Sequence, residues 1–340
     1  MLAAGLLAAC DPFREPESMF DEYLVRLGRV LDTPVVSRPV ELPPQLPTRR
    51  ERVREVPAIQ GSLLDFFRLY GCELQHLVGH RNSSLGRTMH PLNALDYEVR
   101  FIVAAEECMD DIESAALAAR VENVVELKRA SLGAVAWNAV WGSREIENLL
   151  TRSRGLLPID RDGNATSVSG HDLQLLEHVL AQALAGDPAA DIGALDAVYQ
   201  RWLQHSMAGQ ALRSTALTTA RLHDAADILE SRLEDRPLCH KGMRNRQADI
   251  MHSMFMSVYV GHVQPYLADI QRVRQELFPP LFRLATLADE PAPEPFEHYV
   301  ATALAEHEEG GLWHEFDQAV ERHTVAWQDL LGQCGMRPGA

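Results

Sequence analysis

The sequence predicts an all-α fold, an irregular multi-helix bundle of about ten helices with a proline-rich extended strap near the N-terminus. Two observations predict it. Nearly every periodic stretch carries its apolar residues at helical spacing, and no stretch alternates convincingly as a strand would. No segment recurs at a fixed period.

The elements follow in chain order. Leu2 to Ala9 is an apolar run ending at Cys10. It is too short to span a bilayer. Ser18 is placed to cap a helix with Phe20, Tyr23, Leu24, Leu27 and Leu31 on one face. The stretch from Pro34 to Pro57 holds Pro39, Pro43, Pro44 and Pro47 as well, so it is expected to be an extended strap or spacer. Helical spacing returns at Ser62, with Leu63, Leu64, Phe66, Phe67, Leu69, Tyr70, Leu74, Leu77 and Val78. Pro91 opens the next helix, which runs to about Cys108. A long helical region from Ile112 to Leu150 is expected to break at Gly133 and Gly142. Gly155 to Gly170 reads as a polar loop, and Ser169 with Asp172 as a capping-box-like start of the next helix. Asp187-Pro188 is expected to open another. Met207–Leu233 reads as one long helix, followed by Gln247–Gln275, Leu281–Leu287, Phe296–His307 and Leu312–Leu331. Pro279-Pro280 and Gly310-Gly311 punctuate these last ones. The expected organisation is residues 1–9 as a signal remnant, 10–60 as anchor, short helix and spacer, and 61–340 as one helical domain.

Leu7-Ala8-Ala9-Cys10 has the form of a lipobox, in which small residues precede a cysteine that is alkylated and becomes the new N-terminus. A signal peptide carries Lys or Arg ahead of its apolar run, and only Met1 precedes this one, so translation is expected to start upstream. A lipidated Cys10 would tether the chain to a membrane, and the proline-rich spacer would set its distance from the surface. The expected address is the bacterial envelope, facing the periplasm. Asp11 resembles an inner-membrane sorting signal, but the choice of membrane stays open. The other reading is a chance Leu-Ala-Ala-Cys word in an Ala/Leu-rich chain.

The net charge of −16 argues against nucleic acid as the main partner, because phosphate binding needs a basic face. The same charge argues against attachment to anionic lipid and favours solubility. Lys128 and Lys241 are the only lysines. The arginine-rich run from Arg49 to Arg54 is expected to be a solvated strap rather than a binding patch. With Cys10 set apart, Cys72, Cys108, Cys239 and Cys334 remain. An even number in an exported chain suggests disulfides. The pairing Cys72–Cys108 and Cys239–Cys334 keeps each bond within one half of the chain. The first would join an antiparallel helical hairpin, and the second would pin the C-terminal tail to the turn around Pro237. Free buried thiols of a cytosolic protein are the alternative.

The most distinctive stretch runs from Gly71 to Pro91 and includes His80, Arg81, Asn82, Ser83 and Ser84. One reading is a helix end, with Gly86 in a left-handed turn. The other is a polar pocket in which His80 acts as base toward Ser83 or Ser84 and Arg81 holds an anion, though no nucleophile elbow supports it. His76 and His80, one turn apart with Glu73 ahead of them, are weak metal candidates. Met243, Met251, His252, Met254, Met256 and His262 offer copper(I) ligands, but Met251, Met254, Phe255 and Val258 also form a core stripe. Asp160 to Asn164 has its glycine in the wrong place for a calcium loop and is read as a turn. Trp137 and Trp141 read as core or an interhelical contact. No cofactor is expected.

The blocks Leu63–Phe66, Cys72–Gln75 and Arg81–Gly86, with Tyr97-Glu98 and a late cysteine, resemble the signature of domain-of-unknown-function family 3080, a family of proteobacterial lipoproteins. The resemblance covers most of the chain after Cys10, and its specific part is Gly61–Gly86. It implies an envelope lipoprotein and brings no catalytic residues. The function expected from residues and resemblance together is a membrane-anchored, non-enzymatic binding or assembly protein with an envelope protein partner. The alternatives are an enzyme or ligand-binding protein using His80–Ser84, and a metal-handling protein.

Overall fold

Pro16 stands at a first helical position, where its missing N–H removes no bond, and opens α1 (Pro16–Leu31). The cap position falls to Glu15, so Ser18 lies inside the first turn instead of capping it. Met19, Phe20, Tyr23, Leu24, Leu27 and Leu31 are all between 0% and 1% exposed, a complete apolar face. The computed structural model describes residues 11–57, 71–83, 86–159, 163–287 and 291–336. Among these residues every regular element is helical, and the one β-type contact is an isolated bridge between His240 and Met243.

The strap that follows α1 is extended apart from α2 (Arg49–Arg52), a single turn held by a capping box between Thr48 and Glu51. Next come α3 (Glu73–Asn82), α4 (Pro91–Cys108) and α5 (Ala115–Trp141). Gly133 does not break α5. One helical glycine costs about 1 kcal/mol, and burial of Leu132, Val135, Ala136 and Trp137 beside it outweighs that. The chain does break at Gly142, before α6 (Arg144–Leu149). The 155–170 segment is not all loop, because α7 (Gly163–Leu184) begins well before Ser169. Asp172 is therefore inside a helix, where it takes an ion pair from Arg201 (Nε–Oδ2 2.8 Å) rather than a capping role. Asp187-Pro188 lies in a turn, and α8 starts only at Asp196 (Asp196–Gln204).

The centre of the molecule is α9 (Met207–Asp235), against which both α1 and α13 (Leu312–Gly332) pack. A second long helical run is continuous from α10 (Arg246–Met254) through a π-helical stretch (Phe255–Val263) into α11 (Gln264–Thr286). Gln264 reaches back five residues to the Tyr259 carbonyl, and Pro265, which has no N–H, comes next. Pro279-Pro280 was expected to end a helix, yet α11 runs through both. Two lost backbone bonds are offset because Leu277, Phe278 and Leu281 around them are 0% exposed. A short α12 (Glu294–Tyr299) with a π-helical turn (Val300–Leu304) replaces the longer helix expected to His307.

The structure brings together the cysteine pairs expected from the sequence. Cys72 is the N-cap of α3 and Cys108 the last residue of α4, with Cα atoms 5.9 Å apart across an antiparallel hairpin. Cys239, after α9, and Cys334, after α13, have Cα atoms 5.2 Å apart. Among the described residues no helix is long and apolar enough to cross a membrane. Cys10 and the Leu63–Phe66 block lie outside the described residues.

Candidate functional site

The strap carries the site, and buried arginine fixes the strap. Arg52 is 1% exposed. It donates to the carbonyls of Trp141 and Pro47 and pairs with Glu147. Trp137 Nε1 donates to the Arg52 carbonyl at 2.6 Å. Asn138 closes two further bonds, accepting from the Arg54 amide and donating to its carbonyl, both at 2.8 Å. The Arg54 guanidinium lies over the Trp137 ring, 4.1 Å from its centroid. Of the run expected to be solvated, Arg49 and Arg50 are exposed, while Arg52 and Arg54 staple it onto α5. A guanidinium presents several donors, and here extended strap and helix-end carbonyls accept them. Upstream, the Arg38 amide and Nε donate to buried Asp224 of α9 at 3.1 and 2.8 Å.

Between the strap and the start of α9 the surface opens into a groove of about 460 Å³. Leu42, Leu46 and Leu150 supply apolar wall, and Arg52, Glu147, Arg152 and Arg213 supply charge. Gly209 sets the wall's position. A Cβ there would stand 2.1 Å from the Thr151 carbonyl oxygen, so only glycine lets α9 come this close to the 151–154 turn. Arg152 bonds the Pro43 carbonyl and donates to Gln45 Oε1 at 3.1 Å. Arg213 donates to the Arg152 carbonyl at 3.3 Å. The Tyr299 hydroxyl of α12 is buried without a hydrogen-bond partner and does not line the groove. Burial raises its pKa, and the charges of Arg152 and Arg52 act against that rise.

The residues singled out in the sequence fall elsewhere. Ser83 Oγ donates to the His80 carbonyl at 2.7 Å and accepts from the Gly86 amide at 3.0 Å. Arg81 bonds the Gly86 carbonyl and stacks over Tyr97. The turn closes on its own backbone, and Ser83's hydroxyl proton goes to a carbonyl rather than to the His80 ring. Gly86 is not in a left-handed conformation. It is required because a Cβ there would meet the His80 carbonyl at 2.3 Å. Asn82 is exposed at the end of α3, and Ser84 lies outside the described residues. No group of three or more His, Cys, Asp or Glu side chains with metal-binding geometry occurs among the described residues, at His76 and His80 or elsewhere. Met251 and Met254 are core, while Met243 and Met256 are exposed. His262 stacks on Phe13 with centroids 3.9 Å apart. Of Asp160–Asn164, residues 160–162 lie outside the described residues. Trp137 and Trp141 are buried against Phe296.

Part of the distinctive stretch does converge with Tyr97-Glu98. Lys128 of α5 donates to Glu98 at 2.6 Å and sits 4.9 Å from the Tyr97 ring, on whose face Arg81 also lies. Burial lowers the Lys128 pKa and raises that of Tyr97 to about 12. This cluster cross-links α3, α4 and α5. His90 plays a similar part: its Nδ1 accepts from the Leu92 amide and its Nε2 donates to Glu145, so both ring nitrogens are engaged.

Among the buried polar groups that sequence reasoning missed is a histidine in the core. His323 is 0% exposed, and Trp327 Nε1 donates to the Tyr23 hydroxyl (2.9 Å), which donates to His323 Nε2 (2.7 Å). The ring proton is therefore on Nδ1, which has no partner. Burial pushes the His323 pKa down to about 3. Its place on the apolar stripe of Phe316, Ala319, Trp327 and Leu330 was the available signal.

No curated protein and no solved structure matches the chain. A family model described as protein of unknown function (DUF3080) matches residues 20–338, from α1 to just beyond Cys334. With nearly the whole helical body inside that match, the chain belongs to the DUF3080 family.

Proposed function

We propose that the chain is a lipid-anchored protein of a bacterial envelope, whose helical body faces the periplasm and binds a ligand or envelope partner rather than catalysing a reaction. The single observation that carries this reading is the cysteine arrangement. All four cysteines other than Cys10 stand in two pairs at disulfide distance. Such pairing suits an oxidising compartment, because reducing compartments rarely keep structural disulfides. The lipobox form of Leu7–Cys10 supports the anchor. A binding role is supported by the groove beside the strap and by the engagement of His90 and Ser83 in hydrogen bonds that leave neither arranged as a base with a nucleophile.

The test is membrane fractionation with intact-mass analysis of the protein made in a proteobacterial host, with alkylation of thiols before and after reduction. The expected result is an acylated N-terminal cysteine at position 10, no alkylation until reductant is added, and release from the membrane by Cys10→Ser. An uncleaved, unacylated chain whose four other cysteines alkylate without reductant would overturn the reading.

A further inference from the structure

We propose that the groove between the strap and the 151–154 turn binds a small anionic amphiphile, a molecule with one carboxylate or phosphate head and a short apolar body. This rests on the reading of the chain as a binding protein and names its ligand class.

Charge is the first argument. The chain has 48 acidic residues against 32 basic ones, so carboxylates are in surplus. Arginines elsewhere use them: Arg201 pairs with Asp172, Arg274 with Asp317, Arg283 with Glu177 and Arg322 with Glu230. In the groove, Arg52 is matched by Glu147. Arg152 and Arg213 bond only carbonyl and amide oxygens among the described residues, so neither guanidinium is paired with a carboxylate, and the groove's one lining carboxylate, Glu147, is engaged by Arg52. Arginine forks of this kind take carboxylate or phosphate oxygens through paired hydrogen bonds.

The wall chemistry gives the other half of the ligand. Leu42 is 63% exposed at the groove, a large apolar side chain left in water, and Leu46 and Leu150 continue its surface. The volume of about 460 Å³ matches a small molecule.

The test is isothermal titration calorimetry of the full mature chain with four probes: octanoate, octyl phosphate, inorganic phosphate and octylamine. The expected result is binding of octanoate and octyl phosphate, at least tenfold weaker binding of inorganic phosphate, and none of octylamine. Arg213→Gln should weaken both amphiphiles at least tenfold. Leu42→Gln, at an exposed position that cannot unfold the chain, should remove the advantage of octyl phosphate over inorganic phosphate. Phosphatidylglycerol vesicles added as competitor identify the source: displacement of octyl phosphate supports a membrane lipid, and no displacement supports a soluble amphiphile. Failure of every anionic probe, equal binding of octylamine, or Leu42→Gln and Arg213→Gln both binding as the parent does would overturn the proposal. Those failures leave acylation and thiol state unchanged, so they are distinct from failure of the envelope reading.

Discussion

Helix α1 and the strap that follows it are neighbours in sequence, and opposite kinds of interaction hold them. From α1, Met19, Phe20, Tyr23, Leu24, Leu27 and Leu31 enter the core, and their burial holds the helix to α9 and α10. The strap buries few apolar side chains, with Val40 and Leu46 only partly covered. Arg38, Arg52, Arg54 and Arg152 hold it instead, through bonds to carboxylates, carbonyls and an aromatic face. A helix announces burial through its period. A strap announces nothing, because each anchor is a single residue whose partner is far away: Trp137 and Arg52 are 85 residues apart. The strap is therefore structure rather than tether, and it forms one wall of the groove.

The largest test of this contrast sets Arg52→Ala beside Leu24→Ala. Leu24→Ala is expected to cost about 2–5 kcal/mol, the usual range for a core leucine. Arg52→Ala leaves the Trp141 and Pro47 carbonyls without their donor and is expected to cost about 3 kcal/mol. Urea unfolding measures both. A loss under about 1 kcal/mol for Arg52→Ala would reduce the strap to a decoration on the surface.

A smaller effect separates the two regions by pH. His323, in the α13 core beside α1, has a pKa lowered to about 3 from an ordinary 6.5. The unfolded chain therefore binds a proton that the folded chain refuses between those values. Stability from this group is complete above about pH 6.5 and falls as the pH drops toward 3, by at most ~1.4 kcal/mol per pH unit. His323→Gln should flatten that part of the stability profile between pH 6.5 and 5, as followed by thermal melting. An unchanged slope would mean that His323 is not held neutral. Arginine anchors do not titrate in this range, so the strap enters the slope only through His223, whose pKa is lowered by burial and by the charges of Arg38 and Arg322.

The fold class, the long helices α9 and α13, and the cysteine pairs were legible, since apolar spacing and the hairpin geometry of α3 and α4 carry them. Helix ends were less so. Pro279-Pro280 and Gly133 are local signals against helix, and tertiary burial around them prevails. Ser169-Asp172 imitates a cap, while Asp172 serves Arg201. The candidate groove was not legible at all: Leu42, Arg152 and Arg213 come from three separate stretches of the chain, and none sits in a motif. The Arg81–Gly86 block was visible, and among its described residues Arg81 and Ser83 bond the Gly86 backbone while Arg81 lies over Tyr97.

Hydrogen–deuterium exchange at the Arg54 amide tests most directly whether the strap is part of the folded body. That amide donates to Asn138 Oδ1 and should exchange on the timescale of the helical amides of α5 around it. Exchange at the rate of a free peptide, with α5 still protected, would contradict the account.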